Sequence, residues 1–292
     1  MNNASAIGID IGGSHISGAL VNLKTRSIIE NTGIRIRVNS KSTIEEITDS
    51  WINAIQQLIQ RNNLHQPKIG IAMPAPFDYV NGISWMKDNN KFASLYGVNI
   101  KSLLAEKLEM SASDILFMND AAAFLQGEMF AGAALGFTKA IGLTLGTGLG
   151  SSKCNGEIVE DANLWCTPML NGIAEDYLST GWFVKRFNQL TGNVAGGVKE
   201  IADTYRKDKQ VHLIFDEFAK NLAFFVGEFV KAENPDVIVI GGNIMQAENL
   251  FIPLVKRQLQ NMGITCSFVR AKLGENAAIL GAAALVTEKN IQ

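Results

Sequence analysis

Two carboxylates and two glycine turns are the residues whose types and spacing could do chemistry in this chain. Asp120 closes the stretch Phe117-Met118-Asn119 and leads into Ala121-Ala122-Ala123, so it stands where a predicted strand gives way to a predicted helix. Further on, the apolar run Ile141-Gly142-Leu143-Thr144-Leu145 enters Gly146-Thr147-Gly148-Leu149-Gly150-Ser151. An acid and a turn of bare backbone are what phosphoryl transfer must bring together, because such an enzyme mostly positions a nucleophile and neutralises charge. The competing reading of Asn119-Asp120 is structural: both residue types cap helix N-termini well, and that use alone would justify them.

The second carboxylate comes from the start of the chain. Ile7-Gly8-Ile9-Asp10-Ile11-Gly12-Gly13-Ser14 can be laid on Ile141 to Gly148 without a gap, each an apolar strand entering a glycine turn and returning as a strand. Strands on both sides make the turn a hairpin, which excludes the dinucleotide fingerprint, where the glycines open a helix. Glycine lets backbone N–H groups approach an anion closely, although a plain hairpin turn would use the same residues. The repeated strand-turn-strand predicts duplication, with two related lobes facing each other across a cleft and gripping one polyphosphate from both sides.

The elements that must position these residues are legible in outline. Ser42-Thr43-Ile44-Glu45 has the form of a capping box, and Ile44, Ile47, Trp51, Ile55, Leu58 and Ile59 then recur at helical spacing. Lys68 to Met73 reads as a buried strand closed by Pro74-Ala75-Pro76. Tyr79 to Ser94, with Asp88-Asn89-Asn90, is a polar loop that either reaches a ligand or is merely solvated. Asn99 can cap a helix through Leu108, Asp114 to Met118 is a strand, and Ala121 to Ala134 a helix. In the second half, helical runs are predicted over Asn171 to Gln189, Val198 to Tyr205 and Val211 to Ala232, the last with a core-facing aromatic stripe. Asp236 to Ile240 reads as a strand buried on both faces that stops at Gly241-Gly242, where a ligand or close packing could require glycine. A helix over about Gln246 to Asn261, a strand over Ile264 to Arg270 and an Ala-rich helix over Asn276 to Thr287 follow.

Composition narrows the function classes. Over 292 residues, 47% are hydrophobic and 18% charged, which describes a globular chain with a real core. A net charge of −2 without a basic run leaves no electrostatic footprint for nucleic acid. Cys154, Cys166 and Cys266 lie far apart without a Cys-x-x-Cys pair, so they read as reduced thiols. Neither a signal core nor a membrane-length apolar run is seen, and a cytoplasmic protein is expected.

Taken together, Asp10 to Ser14, Asn119 to Ala123 with Glu128, Leu143 to Gly150, Val237 to Gly242 and Leu280-Gly281-Ala282-Ala283 resemble the ROK (repressor, open reading frame, kinase) family of sugar kinases. The resemblance implies an actin/hexokinase-like (ribonuclease H-like) α/β fold: two lobes on mixed five-stranded sheets with an interlobe cleft. The lobes would span 1–118 and 119–275, with the helix at about 276–292 folding back on the first. It implies ATP and Mg²⁺ as cofactors, a sugar as second substrate and a homodimer as the family's oligomer. It makes Asp120 the catalytic base and Asn90, Asn119 and Glu175 sugar ligands. Gly12, Gly13, Ser14, Thr147 and Gly148 become phosphate turns, Gly241 and Gly242 the adenosine end, and Asp10 the acid near Mg²⁺, acting through water.

Between Asn155 and Ser179 the chain departs from the family pattern. Many members carry a Gly-His pair and a cysteine-rich zinc motif there, whose His and Glu help bind the sugar. This stretch has no histidine and lacks the zinc cysteines, with Ile173 standing where a ligand cysteine would be, so no zinc is expected. His15, His65 and His212 lie elsewhere. Trp165 could stack on a sugar face, but a buried aromatic is the expectation. The sequence therefore reads as an ATP-dependent kinase of a hexose or N-acetylated amino sugar, the alternative being a kinase-derived sugar or nucleotide sensor. A repressor of this family would need a DNA-binding domain ahead of the first strand, which already opens at Ala6. An acetate- or glycerol-type kinase fits the motif spacing less well.

Overall fold

In the computed structural model, which describes residues 5–87, 91–205 and 208–288, the chain divides into two compact units. The first is Met1–Leu135 with Glu275–Gln292, the second Gly136–Gly274. The expected boundary at 118 therefore falls too early: the helix after it stays with the first unit because it packs along the last helix of the chain.

The first unit is built on a mixed sheet. Strand β1 (Ser5–Ile11) forms a hairpin with β2 (His15–Asn22), closed by a 2.9 Å hydrogen bond from the Gly12 amide to the His15 carbonyl. The next stretch forms two short strands, β3 (Ser27–Ile28) and β4 (Ile34–Arg37), both paired with β2. The break comes at Asn31, whose φ is 60°, and at Thr32, whose buried hydroxyl donates to the Ile29 carbonyl and accepts the Leu20 amide. Six strands thus occupy five positions. Helix α1 (Ile44–Arg61) starts at Thr43, whose side chain accepts the Glu46 amide, and buries Ile47, Trp51, Ile55 and Leu58. Strand β5 (Ile69–Met73) lies parallel to β1. A small hairpin, β6 (Phe77–Asp78) and β7 (Ile83–Ser84), and α2 (Ile100–Lys107), capped by Asn99, precede β8 (Ile115–Asn119), which runs parallel to β5.

Helix α3 (Asp120–Ala131) follows β8 directly. The second unit supplies strands β9 to β15 and helices α4 to α8. Strand β9 (Ala140–Leu145) forms a hairpin with β10 (Leu149–Cys154), β11 (Val159–Asp161) extends that edge, and β14 (Val237–Gly241) and β15 (Ser267–Arg270) add in parallel. A hairpin followed by two parallel strands is also the plan of the first sheet, which is the duplication expected from the two glycine turns. The predicted helix from Asn171 does not form as one piece. A short hairpin, β12 (Pro168–Met169) and β13 (Gly172–Ile173), leads into α4 (Ala174–Tyr177) and then α5 (Thr180–Thr191). Helix α6 (Val198–Asp203) and the long α7 (Lys209–Glu233) come next, and the aromatic stripe of α7 is buried as expected. A 3₁₀ segment, Asn243–Leu250, precedes α8 (Ile252–Asn261) where one helix was expected; Pro253, at the start of α8, suits a first turn because it has no N–H to satisfy.

The last helix, α9 (Asn276–Glu288), packs on β1, β5 and α3 of the first unit. Glycines permit that approach. A Cβ at Gly8 would collide with the Ile279 carbonyl, and one at Gly70 with the Ala282 carbonyl.

Candidate functional site

The two carboxylates lie at the same end of the first sheet. Asp10 is paired with Ala72 of β5, Ala72 with Met118 of β8, and Asp120 follows two residues later. One strand therefore separates the two chains, about 10 Å at the usual strand spacing.

Asn119, not Asp120, is the N-cap of α3. Its Oδ1 accepts the amides of Ala121 (2.8 Å) and Ala122 (3.1 Å). Its Nδ2 donates to the Tyr79 hydroxyl (3.2 Å), which donates in turn to the Met73 carbonyl (3.1 Å). The structural alternative weighed for Asn119-Asp120 thus applies to Asn119, and it frees its neighbour. Among the described residues Asp120 accepts the Ala121 amide, at 2.9 Å on Oδ1, and otherwise meets just its own amide. Its carboxylate is open to solvent by surface area, yet protein surrounds it closely enough to weaken its hydration at longer range. Burial therefore raises its pKa, opposed by the amides of Ala121 and Asp120 and by the charge of Lys91.

Asp10 is raised to about 6, first by burial and then by the charge of Asp120; Arg35 opposes the shift and Glu275 adds to it. Arg35 reaches this neighbourhood because Asp10 pairs with Ser17 of β2 and Ser17 with Arg35 of β4, so the three share one face of the sheet. Arg35 is ion-paired with Glu275 at 2.6 Å. A cavity of about 540 Å³ opens here, lined by Asp10, Gly12, Ser14, His15, Arg35 and Glu275. The Ser14 hydroxyl and His15 Nδ1 are 2.9 Å apart on its wall. Sequence reasoning set His15 aside and passed over Lys91 altogether. The aliphatic stem of Lys91 covers Gly13, with Cδ 2.7 Å from where a Cβ would be, and its charge acts on Asp120. No periodicity or motif marks a lone lysine in a polar loop. The neighbouring Asn90 lies outside the described residues.

In the second unit the Gly146–Gly148 turn is braced from two sides. The Gly146 carbonyl accepts both the amide (2.8 Å) and the hydroxyl (2.9 Å) of Thr180, the first residue of α5. Glu175 accepts the Leu149 amide at 2.9 Å, and a Cβ on Gly148 would stand 2.5 Å from the same carboxylate oxygen. Thr147 projects from the exposed tip of the turn. Gly241 pairs with Thr144 on the neighbouring strand, and Gly242, at φ 95°, lies against the Leu145 backbone where a Cβ would collide. Close packing thus requires Gly242 independently of any ligand. Trp165 is not buried as expected: it is 43% exposed, because its indole Nε1 donates to Asn163 Oδ1 (2.9 Å) and holds the ring outward. Its carbonyl accepts the Glu175 amide at 3.0 Å.

Among the described residues no group of three or more metal-ligating side chains occurs. Asp10 would serve a magnesium ion as a single carboxylate, with water and phosphate oxygens completing the shell, and its lack of a hydrogen-bond partner among the described residues suits that use. No described helix is long and apolar enough to cross a membrane, and none of the three cysteines is in a disulfide.

The sequence profile of the ROK family matches residues 6–163 and 157–289. A glucokinase of Thermotoga maritima is 27% identical over 99% of each chain, and an N-acetyl-D-glucosamine kinase of Histophilus somni is 23% identical over 97% of this chain and 99% of its own. A ROK family glucokinase from Streptomyces griseus, solved with glucose and AMPPNP, superposes with a TM-score of 0.74 at 20% identity, covering 96% of this chain and 98% of its own. That likeness shows the fold expected from the sequence, and the profile match establishes that the chain belongs to the ROK family.

Proposed function

We propose that this protein transfers the γ-phosphoryl group of ATP to a hydroxyl of a hexose or N-acetylated amino sugar, with Asp120 as general base. The observation that carries the reading is the division of labour between neighbours: Asn119 caps α3, and Asp120 keeps a carboxylate oxygen without a hydrogen bond among the described residues. The similarity to a glucokinase and to an N-acetyl-D-glucosamine kinase supports the sugar class.

In this reading Asp120 accepts the proton of the sugar hydroxyl as its oxygen attacks the γ-phosphorus. A carboxyl whose pKa is raised is a stronger base while still ionised near neutral pH, so the environment of Asp120 favours the role. The amides of Gly13 and Ser14, and in the second unit those of Thr147 and Gly148, are assigned to the phosphates, with Gly241-Gly242 at the adenosine end; Gly12, whose amide is taken by the His15 carbonyl, serves the first turn by its lack of a side chain. Lys91, beside Gly13 and acting on Asp120, is assigned to the transferred phosphoryl group, where a fixed cation offsets developing negative charge. Magnesium bound with ATP would neutralise phosphate charge near Asp10. Asn119 acts on the sugar only through its second amide hydrogen, since Tyr79 takes the first. Asn90 and Glu175 are assigned to sugar hydroxyls.

The test is ADP release from Mg-ATP across hexoses, N-acetylhexosamines and their epimers, with Asp120→Asn alongside. Sugar-dependent ADP release that drops by about 10²–10⁴-fold in the variant is expected. In the wild type the rate should fall as pH drops through the raised pKa of Asp120. A variant with near-full turnover would remove Asp120 from the mechanism.

A further inference from the structure

The second unit carries a cavity of about 750 Å³ that none of the assignments above uses. It lies beside the start of α5, next to α7 and the β12–β13 hairpin. Three features point to an anionic ligand with a polar ring. Ser179, the residue before α5, is only 6% exposed, lines the cavity and does not cap the helix with its side chain. Its hydroxyl has no hydrogen-bond partner among the described residues. A 12-residue helix thus begins at the cavity without a side-chain cap, beside the unpartnered hydroxyl of a residue that is otherwise buried, and such a terminus favours negative charge.

The charges agree with this. Lys185 of α5 and Lys220 of α7 line the cavity, are exposed, and have no ion-pair or hydrogen-bond partner among the described residues. Arg186 and Glu217 neutralise each other through two 2.7 Å hydrogen bonds. Asp176 is the remaining acid on the wall, and its Oδ2 is occupied by the Ile173 amide at 3.0 Å. The lining therefore carries a net positive charge. Trp182 and Tyr177 add aromatic surface, of the kind against which a sugar ring packs.

We propose that this cavity binds a phosphorylated sugar, its phosphate at Ser179 and the start of α5 between Lys185 and Lys220, and its ring against Trp182. The ligand is of the class formed in the reaction proposed above, so the sugar half of the proposal rests on that reading while the anion half does not. Thr180, which holds the Gly146 carbonyl, lies between Ser179 and Gly181 on the cavity wall, so a ligand here reaches the glycine turn through one residue.

The test is calorimetric binding of glucose 6-phosphate and of inorganic phosphate to the full-length protein with saturating Mg-AMPPNP, which fills the nucleotide site and prevents turnover. Lys220→Ala and Ser179→Ala are compared with the wild type. The expected result is glucose 6-phosphate binding at least tenfold tighter than inorganic phosphate, weakened at least fivefold in each variant, with sugar-dependent ADP release unchanged in Lys220→Ala. Binding that is absent, or equal in wild type and Lys220→Ala, overturns the site. Equal affinity for both probes overturns the sugar half. Because binding is read without turnover, its failure is distinguishable from failure of the kinase reading.

Discussion

Asp10 and Asp120 stand at the ends of two parallel strands with only β5 between them, and the charge of Asp120 is the second cause, after burial, of the raised Asp10 carboxyl. Two acids held this close, with protein around them weakening their hydration, disfavour the folded protein unless a cation or a proton joins them.

That arrangement predicts a stabilising but inactivating substitution. Folding raises the Asp10 pKa from 3.8 to about 6, so the folded state binds the proton more tightly. Stability should then fall as pH rises from about 4 to about 6, and the cost is fully present above that, on the order of 3 kcal/mol. Asp10→Asn should raise the urea midpoint of the metal-free protein at pH 8, with a gain in unfolding free energy of up to that amount, and the difference should vanish below pH 4. Midpoints measured in chelator at both pH values decide this, and an equal midpoint at pH 8 refutes it.

Lys91→Met keeps the aliphatic stem over Gly13 and removes the charge. Turnover should drop by about 10²-fold or more with little change in sugar KM, because the charge is assigned to the transition state. Lys91→Arg should recover part of the loss. A variant that changes sugar KM alone would place Lys91 in sugar binding instead.

Thr180→Val removes the hydroxyl that the Gly146 carbonyl accepts at 2.9 Å and leaves the amide bond in place. A loss of about 1 kcal/mol in the bracing of the turn should raise the KM for ATP several-fold without altering sugar preference. Steady-state kinetics with each substrate varied separately checks it.

Gly70→Ala tests the packing of α9, since its Cβ would enter the Ala282 carbonyl. The backbone cannot yield as a side chain would, so a loss of about 3 kcal/mol or more is expected, read as a lower denaturant midpoint. Gly136→Ala, with open space around it but φ at 88°, should cost less, about 1 kcal/mol.

Much of this protein was determined by its sequence alone. The paired strand-turn-strand segments, the helix that starts just after Ser42-Thr43, the buried stripe of α7 and the acid at the β8–α3 junction are local patterns of hydrophobicity, glycine and capping. Each depends on neighbours in sequence, and the structure keeps each. What tertiary structure decided is how residues distant along the chain share one environment. Capping fell to Asn119 because Tyr79 and the Met73 carbonyl hold its amide, a contact that no pattern around residue 119 contains. The break at Asn31–Thr32, the outward Trp165 and the brace from Thr180 likewise depend on hydrogen bonds whose geometry is set only on folding. The raised carboxyl of Asp10 is the fullest case: residues 10, 35, 120 and 275 act on one another only because the sheet and the last helix bring them to one end of the first unit.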